Sequence, residues 1–161
     1  MIRILLADDH TLVRKGIRAL LEQVTGMQVV GEALDGIQAV EVAAKAKPDV
    51  VLLDLQMPQM SGIDVLRSLK REGLETTVIV VTAHATIEAA VEAMKEGAYD
   101  FITKPVDVKH LEIVLDKAFE RESLRAQSRF LQTEMEGRLV QVVTENPAIN
   151  TLLQLARRAR S

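Results

Sequence analysis

Residues 49–58, DVVLLDLQMP, constrain the fold more than any other stretch. Four consecutive apolar residues, 50–53, are too few for a helix and show no alternation. That is the pattern of a strand buried on both faces, at the centre of a parallel sheet. The strand closes in a carboxylate, Asp54, followed by Pro58 and a helix-opening turn at Met60, Ser61 and Gly62. Open α/β sheets bind ligands at the carboxyl ends of their strands, so Asp54 is the first candidate functional residue.

The same signature recurs along the chain. Residues 2–7 form an apolar run that ends in Asp8, Asp9 and His10. Leu12, Val13, Ile17, Leu20, Leu21 and Val24 then recur at helical spacing, and Gly26 ends that helix. Residues 28–33, interrupted by Gly31 and Glu32, suit a strand nearer a sheet edge. A second helix follows Asp35-Gly36, directs Ile37, Val40 and Ala44 to one side, and stops before Pro48. After the Asp54 strand, Ser61 and Asp64 have capping-box spacing, with Met60 and Val65 placed as a hydrophobic staple for a helix on Ile63, Leu66 and Leu69. The β-branched run 76–81 ends in Thr82. Thr86 caps a fourth helix with Ile87, Ala90, Val91 and Met94 inward, and residues 99–103 form a fifth strand ending in Lys104-Pro105. Five strand–helix alternations with short connections predict a doubly wound α/β fold, with five parallel strands in the flavodoxin-like order 2-1-3-4-5. In that order strands 1 and 3 are neighbours, and they bring Asp8, Asp9 and Asp54 together.

Composition narrows the function. With 48% hydrophobic and 27% charged residues, the 161-residue chain has enough apolar content for a sizeable, mainly aliphatic core. A net charge of −3 gives no reason to expect direct nucleic-acid contact by this segment. The absence of cysteine excludes disulfides and thiolate metal sites. The N-terminus turns acidic within eight residues, which reads as neither signal peptide nor membrane span, so the expected compartment is the cytoplasm.

Three converging carboxylates repel one another unless a proton is kept or a cation bound. An all-oxygen, water-accessible set suits Mg²⁺. Thr82 and Lys104 add a hydroxyl and a fixed positive charge at the same edge, and the five residues together describe a site for an anion beside a divalent metal. Phosphoryl transfer needs an aligned nucleophile and cations that neutralise the moving group. Taken singly, Asp8 and Asp9 also read as helix caps, Thr82 as a helix-turn residue, Lys104 as a solvated charge and Phe101 as core; it is their joint placement at successive strand ends that points to one site.

Asp8-Asp9, Asp54 within LLDLQMPQMSG, Thr82-Ala83 and Lys104-Pro105 resemble the receiver domain of two-component response regulators over residues 2–119. The resemblance implies that Asp54 accepts a phosphoryl group from a sensor histidine kinase. It further implies Mg²⁺ held by Asp9, Asp54 and the backbone carbonyl of Gln56, with Asp8 acting through water. Thr82 and Lys104 would hold phosphoryl oxygens, Phe101 would be the aromatic that turns inward when Thr82 moves, and the Lys104–Pro105 bond would be cis. Tyr99, placed on the same strand face two residues earlier, competes with Phe101 for that role. Gln56 and His84 flank the phosphoryl position as residues that tune its hydrolysis, although His84 also reads as a surface loop histidine.

Helical sequence continues to about residue 138, far beyond what covering a sheet needs. Leu124, Ser128, Leu131 and Met135 follow 4-3-4 spacing, a short heptad seam that predicts a parallel two-stranded coil and a homodimer. Gly137 is expected to break this helix and residues 139–144 to form a strand-like link. Asn146-Pro147 then opens another helix. The run ENPAINTLLQLARRAR resembles the entry to the AAA+ ATPase module of NtrC-type activators that work with sigma-54 RNA polymerase. The expected organisation is a receiver at 1–120, a dimerising linker at 121–138 and the start of a truncated output module at 139–161. No G-x-x-x-x-G-K-[ST] is present, so this chain has no P-loop of its own and is not expected to act as an enzyme. The longer protein would contact DNA and sigma-54 polymerase. Two rivals are an aspartate-nucleophile phosphohydrolase, which usually carries a second acid where Gln56 stands, and a degenerate receiver used only for docking. A flavin-binding module fits worse, because Asp8-Asp9 would repel its phosphate.

Overall fold

The computed structural model describes residues 1–145, 148 and 151. Elements alternate as β1 (Ile2–Ala7), α1 (Thr11–Leu21), β2 (Met27–Ala33), α2 (Gly36–Ala46), β3 (Val50–Leu53), α3 (Gly62–Arg71), β4 (Thr77–Thr82), α4 (Ile87–Lys95), β5 (Asp100–Thr103) and α5 (Val108–Glu145). All strand pairs are parallel, in the order β2-β1-β3-β4-β5. The chain divides into two compact units, Met1–Phe119 and Glu120–Ser161.

Alternate residues of the central strands feed two separate cores, which explains their unbroken apolar runs. Ile4, Leu6, Val50, Leu52, Ile79 and Val81 pack with Ile17 and Leu21 of α1 and with Leu111, Val114, Leu115 and Ala118 of α5. Leu5, Ala7, Val51, Leu53, Val78 and Val80 pack on the other face with α2, α3 and α4. β2 lies at the sheet edge, and its register against β1 slips between Ile4 and Leu5, placing Gly31 opposite Leu5. A Cβ on Gly31 would lie 2.6 Å from Val42 Cγ1, so α2 sits against bare backbone at the slip.

Helix ends follow the predicted chemistry. Ser61 Oγ accepts from Asp64 N–H and Thr86 Oγ1 accepts from Ala89 N–H. Met60 and Val65 share one apolar cluster.

Several helix faces differ from the periodicity reading. Leu12 is 85% exposed and Ile87 80%, while Ile37, Ala44, Val91 and Met94 are also exposed. The faces that pack are instead small: Gly36, Ala39 and Ala43 on α2, and Ala93 on α4. Alanine brings a helix axis close to the sheet, and larger side chains then fall to the rim. Tyr99 precedes β5 and packs against the α1/α5 core, whereas Phe101 packs against the opposite one. The two aromatics therefore do not share a face. Gly137 does not end α5, which continues helical through residues 139–144 to Glu145. An interior glycine costs about 1 kcal/mol relative to alanine, which the helix-forming residues around it absorb, and an apolar run with no strand to pair with gains nothing by extending. Asn146-Pro147 and the helix predicted after it lie outside the described residues, apart from Ala148 and Thr151.

Candidate functional site at the strand ends

Parallel pairing aligns the strand ends, so the residue after each strand arrives at one edge of the sheet. Asp54 follows β3 and its N–H donates to Ala7 O at 2.8 Å, bringing it level with the end of β1. Lys104 follows β5 and its N–H donates to Thr82 O at 2.9 Å, joining the ends of β4 and β5. The Lys104–Pro105 bond is cis.

The side chains complete the junction. Lys104 Nζ donates to Asp8 Oδ2 at 2.5 Å and to Asp54 Oδ2 at 2.7 Å, and both carboxylates are buried. Burial alone would lower the Lys104 pKa, but hydrogen bonds to Asp54 and then Asp8 outweigh it and hold the ammonium above its ordinary value. Asp54 Oδ1 accepts from Gln56 N–H at 3.1 Å, and Asp8 Oδ1 accepts from His10 N–H at 2.8 Å. Asp9 is more open, with His10 Nδ1 2.9 Å from its Oδ1. One ligand atom from each of Asp8, Asp9, His10 and Asp54 lies within 4.8 Å of the others. Three carboxylates against one ammonium leave an excess of two negative charges before any charge on His10. The donor set is mainly hard oxygen and reaches solvent through Asp9, so it fits a hydrated divalent cation.

Asp8, Asp9, Asp54 and Lys104 are thus brought into one cluster. Thr82 stands at the end of β4, fully buried, with Oγ1 accepting from His84 N–H at 3.4 Å. Gln56 is exposed beside Asp54, and Phe101 is half-buried on β5. Leu124, Ser128, Leu131 and Met135 lie exposed on α5 in the second unit.

Two contributors escaped the sequence reading. His10 faces the carboxylates, a role its position directly after Asp8-Asp9 could have suggested. Arg14, buried on the α1 face that also carries Ile17 and Leu21, donates from Nη1 to Asp8 O at 2.7 Å and from Nε to Glu32 Oε2 at 3.2 Å. A charged residue at a core-facing helical position was the available signal. Gly62 is the remaining support: a Cβ there would lie 2.4 Å from Asp54 O and 2.7 Å from Leu55 Cα.

A five-stranded parallel sheet with acids at the ends of β1 and β3 and a cation at the end of β5 defines a receiver-type signalling domain. Residues 4–116 match the response regulator receiver domain family, and the chain belongs to it. Among curated proteins it is 33% identical over 151 residues to the regulatory protein AtoC of Escherichia coli, covering 91% of this chain and 32% of that protein. It is 42% identical over 106 residues to a protein-glutamate methylesterase/protein-glutamine glutaminase of Koribacter versatilis, covering 65% of this chain and 29% of that one. The chain spans about a third of the length of these two relatives. The receiver domain of the putative response regulator NarL from Mycobacterium tuberculosis superposes with a TM-score of 0.69 at 36% identity, covering 73% of this chain and 95% of that one. A receiver domain of a putative LuxO repressor protein from Vibrio parahaemolyticus gives 0.74 at 28%, covering 79% and 96%. Among the described residues no helix is long and apolar enough to cross a membrane.

Proposed function

We propose that Asp54 is the phosphoacceptor of a phosphorelay and receives its phosphoryl group from a sensor histidine kinase. The observation that carries this reading is the part-buried Lys104 ammonium held between Asp54 and Asp8. It presets a positive charge beside the nucleophile. An Asp54 oxygen attacks the phosphorus of a phosphohistidine; the P–O bond forms as the P–N bond breaks, and the imidazole leaves with its electron pair and takes a proton from water. Lys104 then pairs with phosphoryl oxygens that carry more charge than the carboxylate did, a strong charge-assisted contact. Thr82 exchanges its contact with the His84 amide for a hydrogen bond donated to the phosphoryl group, and Phe101 moves toward the space this opens.

Asp9, Asp54 and the Gln56 carbonyl would hold Mg²⁺, with Asp8 acting through water. The ion supplies charge neutralisation on the transferring oxygens. Gln56 is an amide and cannot serve as the general acid of a phosphohydrolase, which disfavours multiple turnover.

For output, the reading is a receiver at 1–120 and a linker at 121–138 that pairs two copies along Leu124, Ser128, Leu131 and Met135, followed by an NtrC-type activation module that contacts DNA and sigma-54 polymerase. Similarity to AtoC over 91% of the chain, past the receiver match, supports this arrangement. The setting would be the cytoplasm. Moving a two-state switch from 1:99 to 99:1 takes about 5.5 kcal/mol of differential stabilisation, much of which bonds from Thr82 and Lys104 to a phosphoryl dianion would supply. Radiolabelled acetyl phosphate with Mg²⁺ should label the wild-type chain and leave Asp54→Asn unlabelled; equal labelling of both refutes the assignment.

A further inference from the structure

Asp9 is the least anchored carboxylate of the strand-end cluster. Asp8 and Asp54 each give an oxygen to Lys104. The Asp9 side chain is 34% exposed, and the group 2.9 Å from it, His10 Nδ1, belongs to a ring that is itself 63% exposed. Such a contact holds neither partner, so the place of the Asp9 carboxylate is set by the backbone on either side of it.

One residue holds that backbone at both ends. Arg14 Nη1 donates to Asp8 O at 2.7 Å, and the Arg14 main-chain N–H donates to His10 O at 3.0 Å. The first is a buried bond from a charged donor, the strong kind. The second opens α1, whose N-cap His10 makes no side-chain capping bond. The guanidinium is anchored in turn: its Nε donates to Glu32 Oε2 at 3.2 Å, Glu32 also accepts from Arg18 Nη1, and Arg18 Nε donates to Glu22 Oε1 at 3.0 Å. Two arginines and two glutamates balance in charge, so Arg14 acts on the cluster through geometry rather than through a net field.

We infer that Arg14 is a positioning residue: by holding the Asp8 and His10 carbonyls it fixes the turn around Asp9 and sets that carboxylate in place before an ion arrives. Ordering the turn on folding removes that cost from binding. The inference rests on the reading above that Asp9 and Asp54 hold Mg²⁺, and it adds a residue that never touches the ion.

Calorimetry of Mg²⁺ binding tests it without any assay of phosphorylation. Arg14→Met keeps the apolar stem and removes the donors; it should weaken Mg²⁺ binding about 10-fold, the scale on which residues behind metal ligands act. Leu21→Ala, on the same buried face of α1 but away from the turn, serves as the stability control: it should lower the urea midpoint and leave Mg²⁺ affinity within about twofold, the margin that separates packing loss from the 10-fold effect. Arg14→Lys keeps the charge but lacks the planar fork that reaches both acceptors; it should still bind Mg²⁺ more weakly than Leu21→Ala, which carries the test if Arg14→Met does not fold. Wild-type Mg²⁺ affinity in Arg14→Met or Arg14→Lys, or an equal weakening in Leu21→Ala, overturns the positioning role alone. If the wild type binds no Mg²⁺, the parent reading falls and takes this one with it.

Discussion

At the residue scale, three carboxylates gathered around one ammonium set the energetics of the strand ends. Lys104 pairs with Asp8 and Asp54 and leaves Asp9 in their field without a share of that charge. Asp9→Asn should therefore stabilise the fold by about 1 kcal/mol through relief of like-charge repulsion, read as a higher urea midpoint, and should abolish the Mg²⁺ binding proposed above. A lower midpoint would mean that Asp9 is held by contacts stronger than the repulsion. Glu32 gives the acid limb of stability. Burial pushes its carboxyl up, but hydrogen bonds from Arg18 and Arg14 outweigh that and keep it below its ordinary range. A depressed carboxyl contributes stability above its unfolded value of about 4.3 and loses it as pH falls through the lower folded value. The gap in urea midpoint between wild type and Glu32→Gln should thus be constant from pH 7 to pH 5 and close below about pH 4. Lys104 acts oppositely: its raised value keeps its contribution whole below about 10.4 and loses it only as pH rises further.

At the element scale, the strands and their terminal acids were legible because a doubly buried strand has no choice but continuous apolar residues, and a charge after it marks the edge. Helix faces were less legible. Residues 37, 87, 91 and 94 satisfied a 3.6-residue period, yet the positions buried on α2 and α4 are the small ones, Gly36, Ala39, Ala43 and Ala93, which a hydrophobic period does not single out. Arg14 was missed for a related reason: its guanidinium is buried only because Asp8 O and Glu32 wait there, and that depends on which strands are neighbours. Gly62 shows how an element carries the site. Gly62→Ala forces a Cβ onto the Asp54 carbonyl, and overpacking of this kind costs about 1–3 kcal/mol. Gly16 in α1 has nothing within 4 Å of its Cβ position, so Gly16→Ala should stabilise by about 1 kcal/mol through helix propensity. Thermal unfolding of the two variants should shift in opposite directions, with acetyl phosphate labelling reduced only in Gly62→Ala. A shared direction would show that the Gly62 contact is accommodated without moving Asp54.

At the scale of the whole molecule, Leu124, Leu131 and Met135 leave apolar surface exposed on α5 of a single chain. Pairing of two copies along that seam would bury it, and Leu131→Asp would place a charge in its middle. Sedimentation equilibrium should give a dimer for the wild type and a monomer for Leu131→Asp; a wild-type monomer at high protein concentration removes the coiled-coil linker from the account. That α5 continues well past the sheet was readable in sequence, but where the helix ends was not. Residues 137–145 carry a glycine and β-branched residues that lower helix propensity locally, while a helix already formed extends across them. Everything else turns on the chemistry of one carboxylate. Borohydride reduces an aspartyl phosphate to homoserine, so peptide mapping after treatment with acetyl phosphate and Mg²⁺ reads the acceptor position directly. The account predicts homoserine at residue 54 and nowhere else. Homoserine at position 8 or 9, or none in a chain that has taken up label, would contradict it.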